Sequence, residues 1–280
     1  MRFTKMQGCG NDYVYIDCFS ETVADPAALA RQISDRHYGV GGDGLILIKP
    51  SDRADAFMHM FNADGSEGLM CGNGVRCVAK YLYDHGLVPP ERRAVRVDTR
   101  AGVREITFRV ERGRATELTV DMGVPALTSK LPEQIEVCER KLRFVGVDVG
   151  NPHAVYFLHS NPALGAGHIT ELDLERLGRS FECHPRFPER VNSEFVELLS
   201  PREIDFRVWE RGSGETLACG TGAVAAVYAG VRLGKLEPDV LVHLSGGDLR
   251  VRFDEKSGRC FLTGDATEVF RGDYLAKRRP

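Results

Sequence analysis

The sequence predicts an α+β fold assembled from two copies of one mostly antiparallel unit, on three observations. Short β-rich stretches follow one another at hairpin-like spacing. Helical patterns are few and well bounded. A ten-residue motif recurs about half a chain apart. Residues 65–74 read Gly-Ser-Glu-Gly-Leu-Met-Cys-Gly-Asn-Gly, and residues 213–222 read Ser-Gly-Glu-Thr-Leu-Ala-Cys-Gly-Thr-Gly. Glu, Leu, Cys and two glycines coincide, and Cys71 and Cys219 stand at the same place in each. A fainter echo relates Gly10-Asn11 to Gly150-Asn151. At about 150 residues per domain, 280 residues make roughly two. The expected halves are 1–120, with 265–280 packing on it, and 121–264, with the active site in the cleft between them.

Alternation and β-branched content predict strands over 13–17, 45–48, 56–61, 95–99, 103–111 and 115–121 in the first half. Arg112-Gly113-Arg114 is the connection of a hairpin. The second half repeats the style over 142–149, 154–158, 194–198, 204–210, 240–244, 249–253 and 260–263. Asp25-Pro26 supplies an N-cap and a first-turn proline for a helix reaching about residue 34. Further helices are predicted over 73–83, stopped near Gly86, over 172–180, and over 221–233. The last is small and apolar nearly all round, which predicts burial. Residues 125–140, with proline, serine and a polar run, read as a crossing between the two units.

Composition narrows the function. Hydrophobic residues at 42% and charged residues at 28% describe an ordinary globular chain. A net charge of −3 gives no footprint for nucleic acid or a membrane surface, and the basic end 276–280 reads as a solvated tail. No apolar run follows the N-terminus as in a secretory signal, and none approaches a spanning helix, so a cytoplasmic chain is expected. The eight cysteines (9, 18, 71, 77, 138, 183, 219 and 260) are then expected to be reduced, and six of them to be small packing residues. None forms a CxxC, so no metal site is expected. Gly39-Val40-Gly41-Gly42-Asp43-Gly44 formally matches a dinucleotide fingerprint, but it leads into a strand and opens no helix. Ser66 and Ser213 lack the pattern of a nucleophile elbow, so no serine hydrolase is expected.

The repeated Cys-Gly-x-Gly places a thiol beside a helix N-terminus, where free N–H groups and the dipole favour negative charge. The thiol pKa is expected to fall there, and the glycines let backbone N–H groups approach a carboxylate. Two such thiols on opposite faces of one ligand suit stereochemical inversion at a carbon bearing a proton: one removes it, the other delivers one from the far side. Paired helix N-termini and exclusion of water would stabilise the enolate-like charge. His153, in the second echo, could tune a thiol, and Glu210-Arg211 is a candidate ligand clamp.

Taken together, Gly8-Cys9-Gly10-Asn11-Asp12-Tyr13, residues 61–67, Cys71-Gly72-Asn73-Gly74-Val75-Arg76-Cys77, Gly150-Asn151-Pro152-His153, Val191-Asn192 and residues 210–222 resemble the diaminopimelate epimerases. The motifs span almost the whole chain in that family's order. The resemblance implies two pseudo-symmetric domains, each a β-sheet or barrel wrapped around a central helix. It also implies a homodimer and interconversion of LL- and meso-diaminopimelate without pyridoxal or any other cofactor. By position, Cys71 and Cys219 would be the acid–base pair, conventionally donor and acceptor, with roles that reverse with direction. Gly72-Asn73 and Gly220-Thr221 would hold the α-carboxylate. Asn11, Asn62, Asn151, Asn192, Glu210 and Arg211 would hold the substrate's other polar groups, and His153 and Glu210 would modulate the thiols. Some members carry a substrate-contacting glutamine where this chain has Gly44, so that contact is lost or replaced.

Other functions fit the same residues. A proline or hydroxyproline racemase, or another two-thiol isomerase, shares the two-cysteine logic. A thiol–disulfide redox protein would use Cys71 and Cys219 as a reversible pair, and a binding module would not need the thiols.

Overall fold

The computed structural model describes residues 1–275; the basic end 276–280 lies outside them. In chain order the strands and helices are β1 (Arg2–Gly8), β2 (Asn11–Asp17), α1 (Pro26–Ile33), β3 (Gly44–Lys49), β4 (Ala56–Asn62), β5 (Glu67–Gly68), α2 (Gly72–Asp84), β6 (Ala94–Asp98), β7 (Arg104–Glu111) and β8 (Arg114–Gly123). There follow β9 (Ala126–Leu127), β10 (Glu133–Val137), β11 (Arg140–Asp148), β12 (Pro152–Phe157), α3 (Leu174–Glu182), β13 (Asn192–Ser200), β14 (Glu203–Glu210) and β15 (Gly214–Glu215). The chain continues with α4 (Gly220–Arg232), β16 (Asp239–Leu244), β17 (Gly247–Asp254), β18 (Arg259–Gly264) and β19 (Thr267–Asp273). Contacts divide it into two compact units: Met1–Val120 with the segment from Gly264 onward, and Asp121–Thr263.

In the first unit β1 and β2 form a tight hairpin, closing Gly8 on Asn11. Cys9 and Gly10 between them take φ of 51° and 75°, the left-handed geometry of a two-residue turn matched to strand twist. β2 then runs parallel to β3, β3 antiparallel to β4, β4 parallel to β6, and β6, β7 and β8 antiparallel in turn. The returning β19 pairs with the outer side of β1. The second unit repeats this order: β11 and β12 antiparallel, β12 and β13 parallel, β13 and β14 antiparallel, β14 and β16 parallel, then β17 and β18 antiparallel.

The fold is therefore mainly antiparallel, as the spacing predicts, but each unit also contains two parallel joins. A helix lies in every one: α1 between β2 and β3, α2 between β4 and β6, α3 between β12 and β13, and α4 between β14 and β16. A parallel neighbour requires such a crossover. Hairpin-like spacing elsewhere in the sequence masked these four.

Helix α2 lies against β1, β2 and β6, and α4 against β11, β12, β13 and β17. Every residue of α4 from Gly222 to Gly230 is buried, so its Ala, Gly and Val content is what a helix enclosed by sheet requires. Asp25 caps α1 by accepting the Ala28 N–H at 2.9 Å, ahead of Pro26. Around α1 the core gathers Phe3, Val14, Ile16, Leu29, Ile33, Leu45, Leu47 and Phe61. Around α3 it is aromatic, with Tyr156 stacked on Phe195 and Phe181 edge-on to both.

Three expectations change. The stretch 125–140 is no bare crossing, since it carries β10, which pairs with β11 from Glu133 to Val137. Strands β1 and β19 had no sequence counterpart. The cysteines also divide differently: Cys9, Cys77 and Cys260 are buried, whereas Cys138 and Cys183 are exposed and Cys18 is half-buried. Cys138 sits at φ 50° in the turn between β10 and β11, where the chain faces solvent.

Candidate active site

Cys71 and Cys219 occupy equivalent places, as the N-caps of α2 and α4. Both backbones are extended there (φ −132° and −125°) and turn into the helix at the next residue. Each sulfur folds back to accept the N–H three residues on: Cys71 from Gly74 at 3.3 Å, Cys219 from Gly222 at 3.4 Å. A side-chain acceptor at this position satisfies one of the free N–H groups of the first turn. Glycine at the third place is a packing requirement. A Cβ on Gly74 would lie 2.8 Å from Ile46 Cδ1, and one on Gly222 would lie 3.0 Å from Glu194 Oε1 and 3.2 Å from Cys219 Sγ.

In the first unit the Cys71 thiol donates to Asn11 Oδ1 at 3.1 Å. Asn11 is held in turn by Asp43, which accepts its Nδ2 at 2.7 Å and the Asp12 N–H at 3.1 Å. Arg36 bridges Asp12 and Asp43. Gly72 and Asn73 are buried in the first turn of α2, and Asn73 Oδ1 accepts from Arg76 at 2.9 Å. Asn62 lies at the end of β4, where its Nδ2 donates to Ser66 Oγ at 2.9 Å. It faces Gly44 across the ladder. A Cβ on Gly44 would lie 2.1 Å from the Phe61 carbonyl oxygen and 2.8 Å from the Tyr13 ring, so no side chain fits there on this backbone.

In the second unit the chain of contacts is longer. Wholly buried Glu194 meets His153 Nδ1 at 2.6 Å, and His153 Nε2 meets Asn151 Oδ1 at 2.9 Å. Asn151 Nδ2 donates to Thr221 Oγ1 at 3.4 Å, and that hydroxyl lies 3.5 Å from Cys219 Sγ. Asn192, paired with His153 across β12 and β13, donates to the Pro152 carbonyl and accepts the Arg211 N–H at 2.9 Å. The Arg211 guanidinium is exposed and donates to the Glu189 carbonyl at 3.2 Å. Glu210 accepts from Thr216 Oγ1 at 2.5 Å. Gly220 is buried in the first turn of α4.

The electrostatics correct one expectation. Helix position alone predicts a lowered thiol pKa, yet the Cys219 thiol is pushed well above its usual range. Burial is the largest cause, and the Glu210 and Glu194 carboxylates add to it; the Thr221 and Gly222 hydrogen bonds oppose them without prevailing. Burial likewise raises Glu194, against the pull of His153. Cys77 and Cys260 are pushed up to about 12 by burial, as expected of inert packing thiols.

Sequence reading missed Asp43 and Glu194. Asp43 lies in the glycine-rich turn, where its neighbours drew attention and its carboxylate did not. Glu194 reads as one polar residue in a strand, and no alternation marks it out, because Asn192 to Val196 are all buried. Among the described residues no cluster of His, Cys, Asp and Glu could hold a metal ion, and no helix is long and apolar enough to cross a membrane.

The diaminopimelate epimerase family model matches residues 3–128 and 145–269. The chain is 48% identical to the diaminopimelate epimerase of Desulfovibrio desulfuricans, over 98% of both chains. It is 43% identical to that of Methanococcus maripaludis, over 98% of this chain and 99% of the relative. Among solved structures, a hydroxyproline epimerase from Agrobacterium vitis aligns with a TM-score of 0.73 at 17% identity, covering 99% of this chain and 93% of the other. A PhzF-family phenazine biosynthesis protein from Bacillus anthracis aligns with a TM-score of 0.69 at 17% identity, covering 99% of both. These two are alike in fold. On the family match and its near-complete coverage, the chain belongs to the diaminopimelate epimerase family.

Proposed function

We propose that this chain interconverts LL- and meso-2,6-diaminopimelate by proton exchange at one α-carbon, without cofactor, with Cys71 and Cys219 as the acid–base pair. The observation that carries the reading is the matched capping of α2 and α4 by two thiols, each folded onto the N–H of a third-position glycine at 3.3 and 3.4 Å. One thiolate takes the α-proton while the other thiol delivers a proton to the opposite face. The two sulfurs exchange roles when the reaction runs backward. N–H groups at Gly72-Asn73 and Gly220-Thr221 hold the α-carboxylate and stabilise the charge that spreads into it in the transition state.

Asn11, Asn62, Asn151 and Asn192 offer amides that both donate and accept, suited to a zwitterion. Arg211 with Glu210 recognises the charged groups of the distal centre. Burial, with Glu210 and Glu194 behind it, favours the protonated Cys219 thiol. Glu210, and His153 through Asn151 and Thr221, govern when it gives up that proton.

The chain would then serve lysine and cell-wall precursor synthesis, as a cytoplasmic homodimer. It is tested by deuterium incorporation at the α-carbon in D2O, with LL-diaminopimelate, meso-diaminopimelate and proline in parallel. Exchange into both diaminopimelate isomers is expected. Exchange into proline alone would replace the substrate assignment, and activity that rises on oxidation of Cys71 and Cys219 would replace the mechanism. Sedimentation of the purified chain measures the dimer.

A further inference from the structure

Arg76, in the second turn of α2, is wholly buried. Its Nη2 donates to Asn73 Oδ1 at 2.9 Å and lies 3.9 Å from Cys9 Sγ. Nη1 donates to the Gly72 carbonyl at 3.3 Å, and Nε to the Asp265 carbonyl at 3.1 Å. None of these acceptors carries a full charge. The Asp265 side chain is turned to Cys9, with Oδ1 4.0 Å from its sulfur.

Physical chemistry opposes a cation here. Burial of an ion without a charged partner is costly, and the helix dipole is repulsive to positive charge near the N-terminus. The repeat shows that the helix does not need it, because the matching residue of α4, 148 positions on, is Val224. The charge serves something outside the helix's own packing.

We infer that Arg76 is a positioning residue: it fixes Asn73 and Gly72 at the N-terminus of α2, and its charge makes that terminus a stronger seat for an anionic group of the substrate. This rests on the function proposed above. With Oδ1 committed to Arg76, Asn73 has only its amide N–H groups left for a ligand, so it presents itself as a donor, as a carboxylate requires. Cys71 caps the same turn, and the same charge favours its thiolate. Among the described residues, the titrating groups placed beside the guanidinium are Cys9, Asp265 and Cys77. Of these, Cys77 is held protonated by burial.

Arg76→Met removes the charge and the forked bonds at similar length; Arg76→Lys keeps the charge and loses the fork. For Arg76→Met we expect a rise in diaminopimelate KM of about tenfold or more, larger than the fall in kcat. Iodoacetamide labelling of Cys71, followed by peptide mass spectrometry, should move to higher pH, with the melting temperature unchanged or raised. Arg76→Lys should restore the labelling profile and leave KM high. A folded Arg76→Met protein with wild-type KM and labelling would overturn the inference. If that variant does not fold, wild-type KM in Arg76→Lys would do so. Labelling needs no substrate, so a chain inactive on diaminopimelate would defeat the substrate assignment while leaving Arg76 to be judged on Cys71.

Discussion

His153 Nδ1 lies 2.6 Å from Glu194 Oε1, and neither side chain is accessible to solvent. The other oxygen, Oε2, is buried without a hydrogen-bond partner among the described residues. A half-satisfied buried carboxylate is a poor stabiliser. Its value lies in orientation: bonded at Nδ1, the imidazole must turn Nε2 to Asn151, which reaches Thr221 and so Cys219. The first unit has no such relay, because the residue at the matching ladder position beneath its thiol is Ile46.

Glu194 gives a signed prediction for stability. Burial raises its pKa in the fold, so its contribution is fully present below the unfolded value and is lost as pH rises through the folded one. Glu194→Gln keeps the shape and the bond to Nδ1 but does not titrate. The melting temperature of Glu194→Gln relative to wild type should become more favourable as pH rises from about 4.5 toward neutrality. A difference that moves the other way would mean that attraction to His153 outweighs burial.

Burial pushes the Cys219 thiol above its usual range, and the Glu210 carboxylate is the next largest cause. Labelling of Cys219 by iodoacetamide should therefore stay slow through neutral pH and accelerate only in alkali. Glu210→Gln removes a repulsive charge and should bring the acceleration to lower pH. An unmoved profile would dissociate Glu210 from the thiol.

Much of this was legible in the chain because repetition is a strong signal. The shared Glu, Leu, Cys and glycines located both helix caps, and with them Cys71, Gly72, Cys219 and Gly220. What stayed illegible was the effect of depth. Position at a helix N-terminus predicts an acidic thiol, yet burial and two carboxylates decide the matter at Cys219, and one of them, Glu194, enters from a strand 25 residues away in sequence. The parallel joins were hidden for a related reason. Partners such as Tyr13 and Gly44 are set by a crossover helix, which local alternation does not report. β19 finds β1 only through the fold, since no local pattern ties Thr267 to Gln7.

Replacing either thiol separates chemistry from folding. Serine accepts the same N–H at a helix cap, so Cys71→Ser and Cys219→Ser should melt close to the wild type. A hydroxyl is far harder to ionise, and loss of one general acid–base group typically costs about 100- to 10,000-fold in rate. Steady-state epimerisation with thermal unfolding on the same preparations checks both halves. A serine variant retaining more than about a tenth of wild-type turnover would remove that sulfur from the mechanism.

Gly44 tests whether the missing glutamine contact is a choice of side chain or of backbone. A Cβ there would lie 2.1 Å from the Phe61 carbonyl oxygen, a ladder atom that cannot rotate away, and 2.8 Å from Tyr13 Cε1, which can. Gly44→Gln should therefore lose about 1–3 kcal/mol of unfolding free energy, the usual cost of overpacking, without gaining affinity for diaminopimelate. Adding Tyr13→Ala relieves only the second contact, so the double variant should recover little. If Gly44→Gln alone is as stable as wild type by urea unfolding, β3 and β4 separate easily at this point. If Tyr13→Ala restores it fully, the aromatic ring is the obstacle. Our expectation is that neither happens, because the Phe61 carbonyl belongs to the sheet that carries Asn62, and moving one moves the other.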